Sequence, residues 1–167
     1  FFSTQKPAYA MLRSLVGSEM CIRDRKLADK ARLIGLDLGS KRIGVAICDD
    51  ERKIATPFKT IEYRNIDYLL SELKVIIKEN DIFAIIVGNP LNMDGSFGKS
   101  AQSINDKAKI IGKELNVMIA MWDERLSTSG AFNISSNLDI KFPHRKKNID
   151  EKAAAFILQG AIDFLNN

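Results

Sequence analysis

From Arg32 onward, apolar residues occur in short segments that are separated by turn residues or by amphipathic stretches. Short apolar runs bounded by turns are typical of strands, whereas apolar residues spaced three or four apart are typical of helices. These patterns predict strands at residues 33–38, 43–48, 54–61, 83–87 and 117–122, and helices at 67–80, 99–115, 127–138 and 150–165. Pro57 places a bulge or a sheet edge in the third strand. Three strands in a meander, followed by strands that alternate with helices, predict an α/β fold with a mixed sheet and helices on its faces.

The composition is that of one globular domain. The chain has 167 residues, of which 46% are hydrophobic and 28% are charged. Its apolar runs are far shorter than the ~20 residues that a membrane span needs, so we expect no membrane association. Its two cysteines cannot build a disulfide framework and form no Cys-x-x-Cys pair, which favours a reducing, cytoplasmic compartment. The net charge of +4 is a weak indication of an anionic partner.

The first 25 residues differ from the rest of the chain. They show no sustained helical or strand periodicity, and they lack the apolar segment of a signal peptide. The stretch SLVGSEMCIRDR resembles a translated sequencing adaptor. We therefore expect residues 1–25 to be a non-native or disordered leader, and we assign the folded domain to residues 32–167.

Asp37 lies inside the first apolar strand, between Leu36 and Leu38. A buried charge costs several kcal/mol unless it is paired or bound to a cation. Two interpretations of Asp37 remain open on position alone. Its carboxylate either accepts hydrogen bonds from the turn at residues 39–41 or binds a ligand.

Charged residues 123–125 directly follow the strand predicted at 117–122. Such a run often marks only the point where a strand leaves the core for solvent. Strand ends are also where α/β sheets form ligand sites. In that second interpretation Glu124 is a further carboxylate of the site, and Arg125 contacts phosphate.

Asp150 opens the last predicted helix. As an N-cap residue it would satisfy free backbone amides, a role that Asn148 could also fill. If Asp150 instead faces the sheet, it supplies a third carboxylate. Three carboxylates without a His or Cys cluster favour Mg²⁺ or Mn²⁺, and a pair of such ions can promote phosphodiester hydrolysis.

Two further segments fit a phosphate-bearing substrate. Residues 88–96 follow a predicted strand and end near a predicted helix, so they form either a plain turn or a phosphate-binding loop. The densest basic cluster, at 141–147, is either a solvated loop or a contact to a nucleic-acid backbone. His144 in this cluster is either a surface residue or an assistant to the chemistry. The candidate nucleic-acid contacts are Lys41, Arg42, Asn92, Ser96, Arg125, Ser127, Thr128, Lys141, Arg145, Lys146 and Lys147.

Four motifs in order resemble the YqgF/RuvX-type family of RNase H-like proteins. They are GLDLGSKRIGVA at 35–46, IVGNPLNMDGS at 86–96, DERLST at 123–128, and Asp150 followed by Ala153, Ala154, Ile157 and Leu158. The resemblance runs from about Arg32 to the C-terminus. Asn89 departs from it, because the family commonly has a less polar residue there.

The resemblance implies an RNase H-like fold related to RuvC-type resolvases. It implies that Asp37, Glu124 and Asp150 are catalytic residues that bind Mg²⁺ or Mn²⁺. It also implies a nuclease that processes the 5′ end of pre-16S rRNA. We expect the protein to act in the cytoplasm as a monomer or weak homodimer.

Three alternatives remain open. The same chemistry on branched DNA would make the protein a Holliday junction resolvase, which requires a dimer for symmetric cleavage. The first motif also resembles the phosphate loop of actin-like nucleotide-binding domains, which usually need two such domains to enclose a nucleotide. Finally, the protein could be a non-catalytic ribosome-assembly factor that has kept the fold.

Overall fold

The computed structural model describes residues 32–90, 98–123 and 149–166. These residues form eight elements in the order of three strands, a helix, a strand, a helix, a strand and a helix. The elements are β1 (Arg32–Leu38), β2 (Arg42–Cys48), β3 (Ala55–Glu62), α1 (Ile66–Glu79), β4 (Ile82–Asn89), α2 (Lys99–Leu115), β5 (Met118–Asp123) and α3 (Ile149–Asn166). The expected mixed α/β architecture is confirmed. Three expected segments lie outside the described residues. They are the leader at 1–25, the helix at 127–138, and the basic loop at 139–149 except for its last residue.

The sheet has five strands in the order β3-β2-β1-β4-β5. The meander β1-β2-β3 is antiparallel, whereas β1, β4 and β5 are parallel neighbours. As a result β1, β3, β4 and β5 all finish at the same place, which we call the C-terminal end of the sheet. Helices α1 and α3 approach this end with their first turns, since α1 follows β3 directly and α3 packs on the start of β2.

Each face of the sheet has its own hydrophobic core. One core packs α1 and α2 against Ile34, Leu36 and their neighbours in the sheet. The other packs α3 against Leu33, Ala46 and the small or apolar residues that alternate with the first set. Alternate residues of a strand point to opposite faces, so position along β1 or β2 decides which helix layer a side chain meets.

Two strands run further than the apolar pattern predicts. We predict β4 to stop at Val87 and β5 to stop at Trp122, but β4 continues to Asn89 and β5 to Asp123. The reason is their parallel pairing, in which Gly88 is opposite Trp122 and Asn89 is opposite Asp123. Backbone pairing therefore extends both strands by polar residues, which are buried at the C-terminal end of the sheet.

Local signals explain the remaining boundaries. Asn65 caps α1, since its side chain accepts a hydrogen bond from the Tyr68 amide at 2.8 Å. The predicted irregularity at Pro57 is confirmed, because β3 is an edge strand and the register with β2 shifts between Val45 and Ala46. Among the described residues, no helix is long and apolar enough to cross a membrane.

Candidate metal and nucleic-acid site

Asp37 lies near the C-terminal end of β1 and is half-buried. Its neighbours Leu36 and Leu38 point into the core beneath α1 and α2. Alternation therefore directs Asp37 to the opposite face, where Leu33 packs against α3. The first turn of α3 is thus the part of the chain that meets this carboxylate.

Asp150 lies in that first turn, as the second residue of α3. It stands within the helix rather than before it, so the N-cap interpretation of Asp150 is wrong. Its main-chain oxygen lies directly over Gly44, where a β carbon would be only 1.8 Å away. Gly44 is the residue opposite Asp37 in the β1–β2 ladder. The helix start is therefore held close to the strand that carries Asp37.

A second glycine extends this close approach along the helix. A β carbon at Gly35 would lie 2.7 Å from the Ala154 oxygen and 2.7 Å from the Leu158 β carbon. Ala154 itself is fully buried, and its small side chain lets α3 approach the sheet. The role of Gly35 and Gly44 was not predicted. The sequence indicates these glycines only by their positions, since both lie on the same face of the sheet as Asp37.

The two carboxylates interact electrostatically. The pKa of Asp37 is raised above its usual value, first by burial and then by the negative charge of Asp150. Both causes disfavour the ionised form of Asp37. A cation placed between the two groups would offset both of them.

Asp150 pairs with a basic side chain. The Arg42 Nε lies 2.9 Å from Asp150 Oδ2, although Oδ2 is buried and accepts no hydrogen bond from the described residues. The Arg42 side chain is 48% exposed, so it reaches solvent beside the carboxylate. Arg42 therefore occupies a place from which it can contact Asp150 and an incoming anion.

Asp37 and Asp150 fit a hard divalent cation. Such ions prefer carboxylate oxygens, and a bound cation would relieve the repulsion between the two carboxylates that helps to raise the pKa of Asp37. Within the described residues, no group of three or more His, Cys, Asp or Glu side chains is arranged to hold a metal ion. Glu124, the third carboxylate expected from the sequence, lies outside those residues.

Asp123 and Asn89 form a separate polar pair at the ends of β5 and β4. They are 4% and 1% exposed, so Asp123 does not mark an exit into solvent as one interpretation had it. Ala120 and Trp122 belong to the core beneath α3, so alternation directs Asp123 to the other face. Asn89 Oδ1 is buried and accepts no hydrogen bond from the part of the chain that the structure describes. This polar pair was not predicted from the sequence.

The remaining expected contacts divide into two groups. Lys41 is exposed in the β1–β2 turn, and Arg42 lies next to it at the start of β2. The other expected residues lie outside the described part of the chain: Asn92, Ser96, Arg125, Ser127, Thr128, Lys141, His144, Arg145, Lys146 and Lys147.

The chain is similar to curated bacterial proteins over most of its length. It is 64% identical over 142 residues to a protein of Pelagibacter ubique named "Putative pre-16S rRNA nuclease", covering 85% of this chain and 94% of that protein. A protein of Ruegeria pomeroyi with the same name is 44% identical over 135 residues, covering 81% of this chain and 88% of that one.

Solved structures support the fold. The chain superposes on the Thermus thermophilus RuvC in complex with a Holliday junction substrate with a TM-score of 0.55 and 12% identity, covering 80% of this chain and 94% of that chain. A second T. thermophilus RuvC structure gives a TM-score of 0.53. The expected RNase H-like fold is thereby confirmed. A family model described as "RuvX: Holliday junction resolvase" matches residues 31–164. This match and the 64% identity to the Pelagibacter protein show that the chain belongs to the RuvX family.

Proposed function

We propose that this protein is a divalent-metal-dependent nuclease that hydrolyses phosphodiester bonds in the 5′-end processing of pre-16S rRNA. The observation that carries the proposal is the placement of Asp150 beside Asp37 at the C-terminal end of an RNase H-like sheet. The names of the relatives from Pelagibacter and Ruegeria support the substrate. Processing of rRNA places the reaction in the cytoplasm.

Asp37, Asp150 and Glu124 are the proposed catalytic residues and the proposed ligands of Mg²⁺ or Mn²⁺. Glu124 is proposed over Asp123 because the resemblance to the family implies it. The orientation of Asp123 supports this choice, since Trp122 packs beneath α3 and alternation along β5 directs the buried Asp123 to the other face.

When bound, the cation supplies positive charge that stabilises the transition state of phosphodiester hydrolysis and promotes attack by water. The protein's own contribution is to hold the carboxylates in place before the substrate arrives. Gly44 fixes Asp150 over the strand, and β1 fixes Asp37 beside it. Preorganised charges of this kind need no rearrangement during the reaction.

Basic side chains around the carboxylates are the proposed contacts to substrate phosphates. Arg42 is half-exposed and lies next to Asp150, so it can hold a phosphate near the reacting bond. Lys41 is exposed in the adjacent turn. The remaining proposed contacts are Asn92, Ser96, Arg125, Ser127, Thr128, Lys141, Arg145, Lys146 and Lys147.

A second candidate is cleavage of four-way DNA junctions. The description of the matching family, a Holliday junction resolvase, favours it. The chemistry at Asp37 and Asp150 would be the same, but symmetric resolution requires two sites held in a dimer. The two candidates therefore differ in substrate and assembly, and both can be measured.

The test is to incubate the purified protein with a 5′-extended 16S rRNA precursor and, separately, with a four-way DNA junction. Each reaction is run with Mg²⁺, with Mn²⁺ and with EDTA. We expect metal-dependent cleavage of the precursor near the mature 5′ end and no symmetric resolution of the junction. Symmetric junction cleavage without precursor cleavage would establish the second candidate, and no cleavage of either would contradict both.

A further inference from the structure

Aromatic and basic side chains gather where β3 ends and α1 begins. Tyr63 directly follows β3, and its amide donates a hydrogen bond of 2.9 Å to the Lys41 oxygen. Tyr63 is therefore tied to the β1–β2 turn that follows Asp37. Since β3 finishes at the C-terminal end of the sheet, Tyr63 and the start of α1 lie at the same end as the carboxylates.

Two cations in this region are held over aromatic rings. The Lys107 Nζ lies 4.3 Å from the centre of the Tyr63 ring. The Arg64 guanidinium carbon lies 4.7 Å from the centre of the Tyr68 ring. Such contacts contribute about 0.5–1 kcal/mol at exposed sites and restrict where the charged group can lie. We call these four residues the basic aromatic patch.

The charges of the patch remain available to a ligand. Neither Arg64 nor Lys107 makes an ion pair with the described residues, whereas nearby Lys59 is paired with Glu72 at 2.5 Å. Arg64 is exposed and Lys107 is half-buried. Aromatic rings position these cations without neutralising them, which is the arrangement that an anionic partner requires.

The patch and Asp37 lie on different sides of the sheet end. Tyr63 packs against the core beneath α1 and α2, whereas Asp37 faces α3. Thr60 is two strands away from Asp37, opposite Gly44. With neighbouring strands ~4.8 Å apart, Thr60 lies about 10 Å from Asp37, and the patch begins three residues beyond Thr60. The exposed Lys41 lies in the turn between them.

We propose that the basic aromatic patch is a second binding site for the backbone of a nucleic-acid strand. A strand bound at the carboxylates would cross the sheet end over Lys41 and place later phosphates against Arg64 and Lys107. This proposal rests on the proposed function only in taking a nucleic acid as the ligand.

The fork of N–H groups on Arg64 suits two phosphate oxygens, and Lys107 supplies a point charge beside it. The patch reads no bases through these contacts. It therefore increases the affinity for the strand and fixes its orientation, while other parts of the protein determine the cleavage position.

The test measures binding, not cleavage. A 5′-extended 16S rRNA fragment is titrated in EDTA with the wild-type protein, with Arg64→Ala, with Lys107→Met and with the double variant. Lys74→Met is the matched control, because Lys74 is exposed in the middle of α1. Dissociation constants are measured from low to high salt, and melting temperatures show that each variant is folded.

For a single-stranded contact, each lost phosphate interaction lowers the slope of log affinity against log salt by about 0.7. We expect that decrease in both single variants, about twice that decrease in the double variant, and none in Lys74→Met. A fourth variant, Tyr63→Leu, keeps an apolar side chain but removes the ring, and we expect it to weaken binding through Lys107.

Slopes equal to those of the wild type in Arg64→Ala and Lys107→Met would overturn the patch, as would failure of the wild-type protein to bind the fragment. The same decrease in Lys74→Met would also overturn it, because the effect would then follow total charge. A protein that binds through the patch but cleaves nothing would contradict the proposed nuclease and leave the patch intact. The two ideas therefore fail separately.

Discussion

The main-chain oxygen of Asp150 packs against Gly44, and a β carbon at position 44 would lie 1.8 Å from it. Gly44 is also the ladder partner of Asp37. This single contact between a helix and a strand sets how closely the two carboxylates approach each other. We expect this contact to affect the stability of the fold, the affinity for a cation and the rate of cleavage.

Gly44→Ala tests this contact directly. The added methyl group meets backbone, which cannot rotate away, so α3 must shift outward at its first turn. We expect a loss of about 1–3 kcal/mol in the free energy of unfolding, measured by urea denaturation, and a large fall in cleavage rate. The rate falls because Asp150 moves with the helix.

Gly112→Ala is the control for Gly44→Ala. A β carbon at Gly112 would meet mainly the Ile119 side chain, at 3.3 Å, and alanine is favoured over glycine inside a helix by roughly 1 kcal/mol. We expect stability and cleavage to change little. Equal losses in both variants would show that position 44 has no special relation to Asp150.

Asp37→Asn removes a charge that the fold disfavours. Burial and Asp150 raise the pKa of Asp37 in the folded state, so the folded protein binds a proton at this position more readily than the unfolded chain. The ionised carboxylate therefore destabilises the protein above its folded pKa. We expect Asp37→Asn to be more stable than the wild type at pH 7 in EDTA.

The pH dependence of that gain has a defined sign. As the pH falls through the folded pKa, the wild-type carboxyl takes up a proton and the penalty disappears. The stability difference should therefore shrink on acidification and vanish near the unfolded value of about 3.9. Denaturation of both proteins at several pH values measures it. A difference that grows on acidification would contradict the assigned direction.

Cation binding should appear as a change in stability without any substrate. If Asp37 and Asp150 hold Mg²⁺, saturating metal stabilises the folded wild-type protein, by ~2.7 kcal/mol at a concentration one hundred times the dissociation constant. We expect a higher melting temperature in Mg²⁺ than in EDTA for the wild type and a much smaller rise for Asp37→Asn. Equal rises would place the cation elsewhere.

Gln159, just past the middle of α3, connects this helix to the β2–β3 turn and to the start of β3. Its Oε1 accepts a hydrogen bond from the Ala55 amide at 2.8 Å, and its Nε2 donates to the Lys53 oxygen at 2.9 Å. We expect Gln159→Ala to lower the free energy of unfolding by about 1–2 kcal/mol, since both backbone groups lose their partner. Cleavage at saturating substrate should be unchanged, because this contact lies more than two helical turns along α3 from Asp150.

Gln159→Glu refines that prediction. The carboxylate can still accept from Ala55, but its second oxygen would face the Lys53 oxygen and Asp163 Oδ1, to both of which the amide now donates, so we expect a larger loss of stability than in Gln159→Ala. A loss of cleavage at saturating substrate in either folded variant would show that the whole of α3, and not only its first turn, positions the site.

Much of the fold could be predicted from the sequence, because its apolar pattern follows the strands and helices closely. The pattern failed at the ends of β4 and β5. There the pairing of Asn89 with Asp123 continues the ladder through polar residues, and no periodicity signals such pairing. Only the neighbouring strand, which is distant along the chain, determines where these strands end.

The sequence indicated Asp37 and Asp150 as candidate site residues, but it did not indicate how they are arranged. An aspartate between Leu36 and Leu38 indicated an unusual buried charge. The position of Asp150 depends on Gly44. Because Gly44 has no side chain, the first turn of α3 can approach the strand closely. The ion pair of Arg42 with Asp150 was likewise beyond the sequence, since it joins two segments that meet only in the folded protein.

The central claim is that Asp37 and Asp150 together hold a catalytic cation. Its most direct test is single-turnover cleavage of a 5′-extended 16S rRNA precursor by the wild type and by Asp37→Asn, in Mg²⁺ and at equal occupancy of bound RNA. We predict cleavage by the wild type that EDTA abolishes, and none by Asp37→Asn, although that variant is folded and binds the RNA. Cleavage by Asp37→Asn at the wild-type rate would contradict the claim.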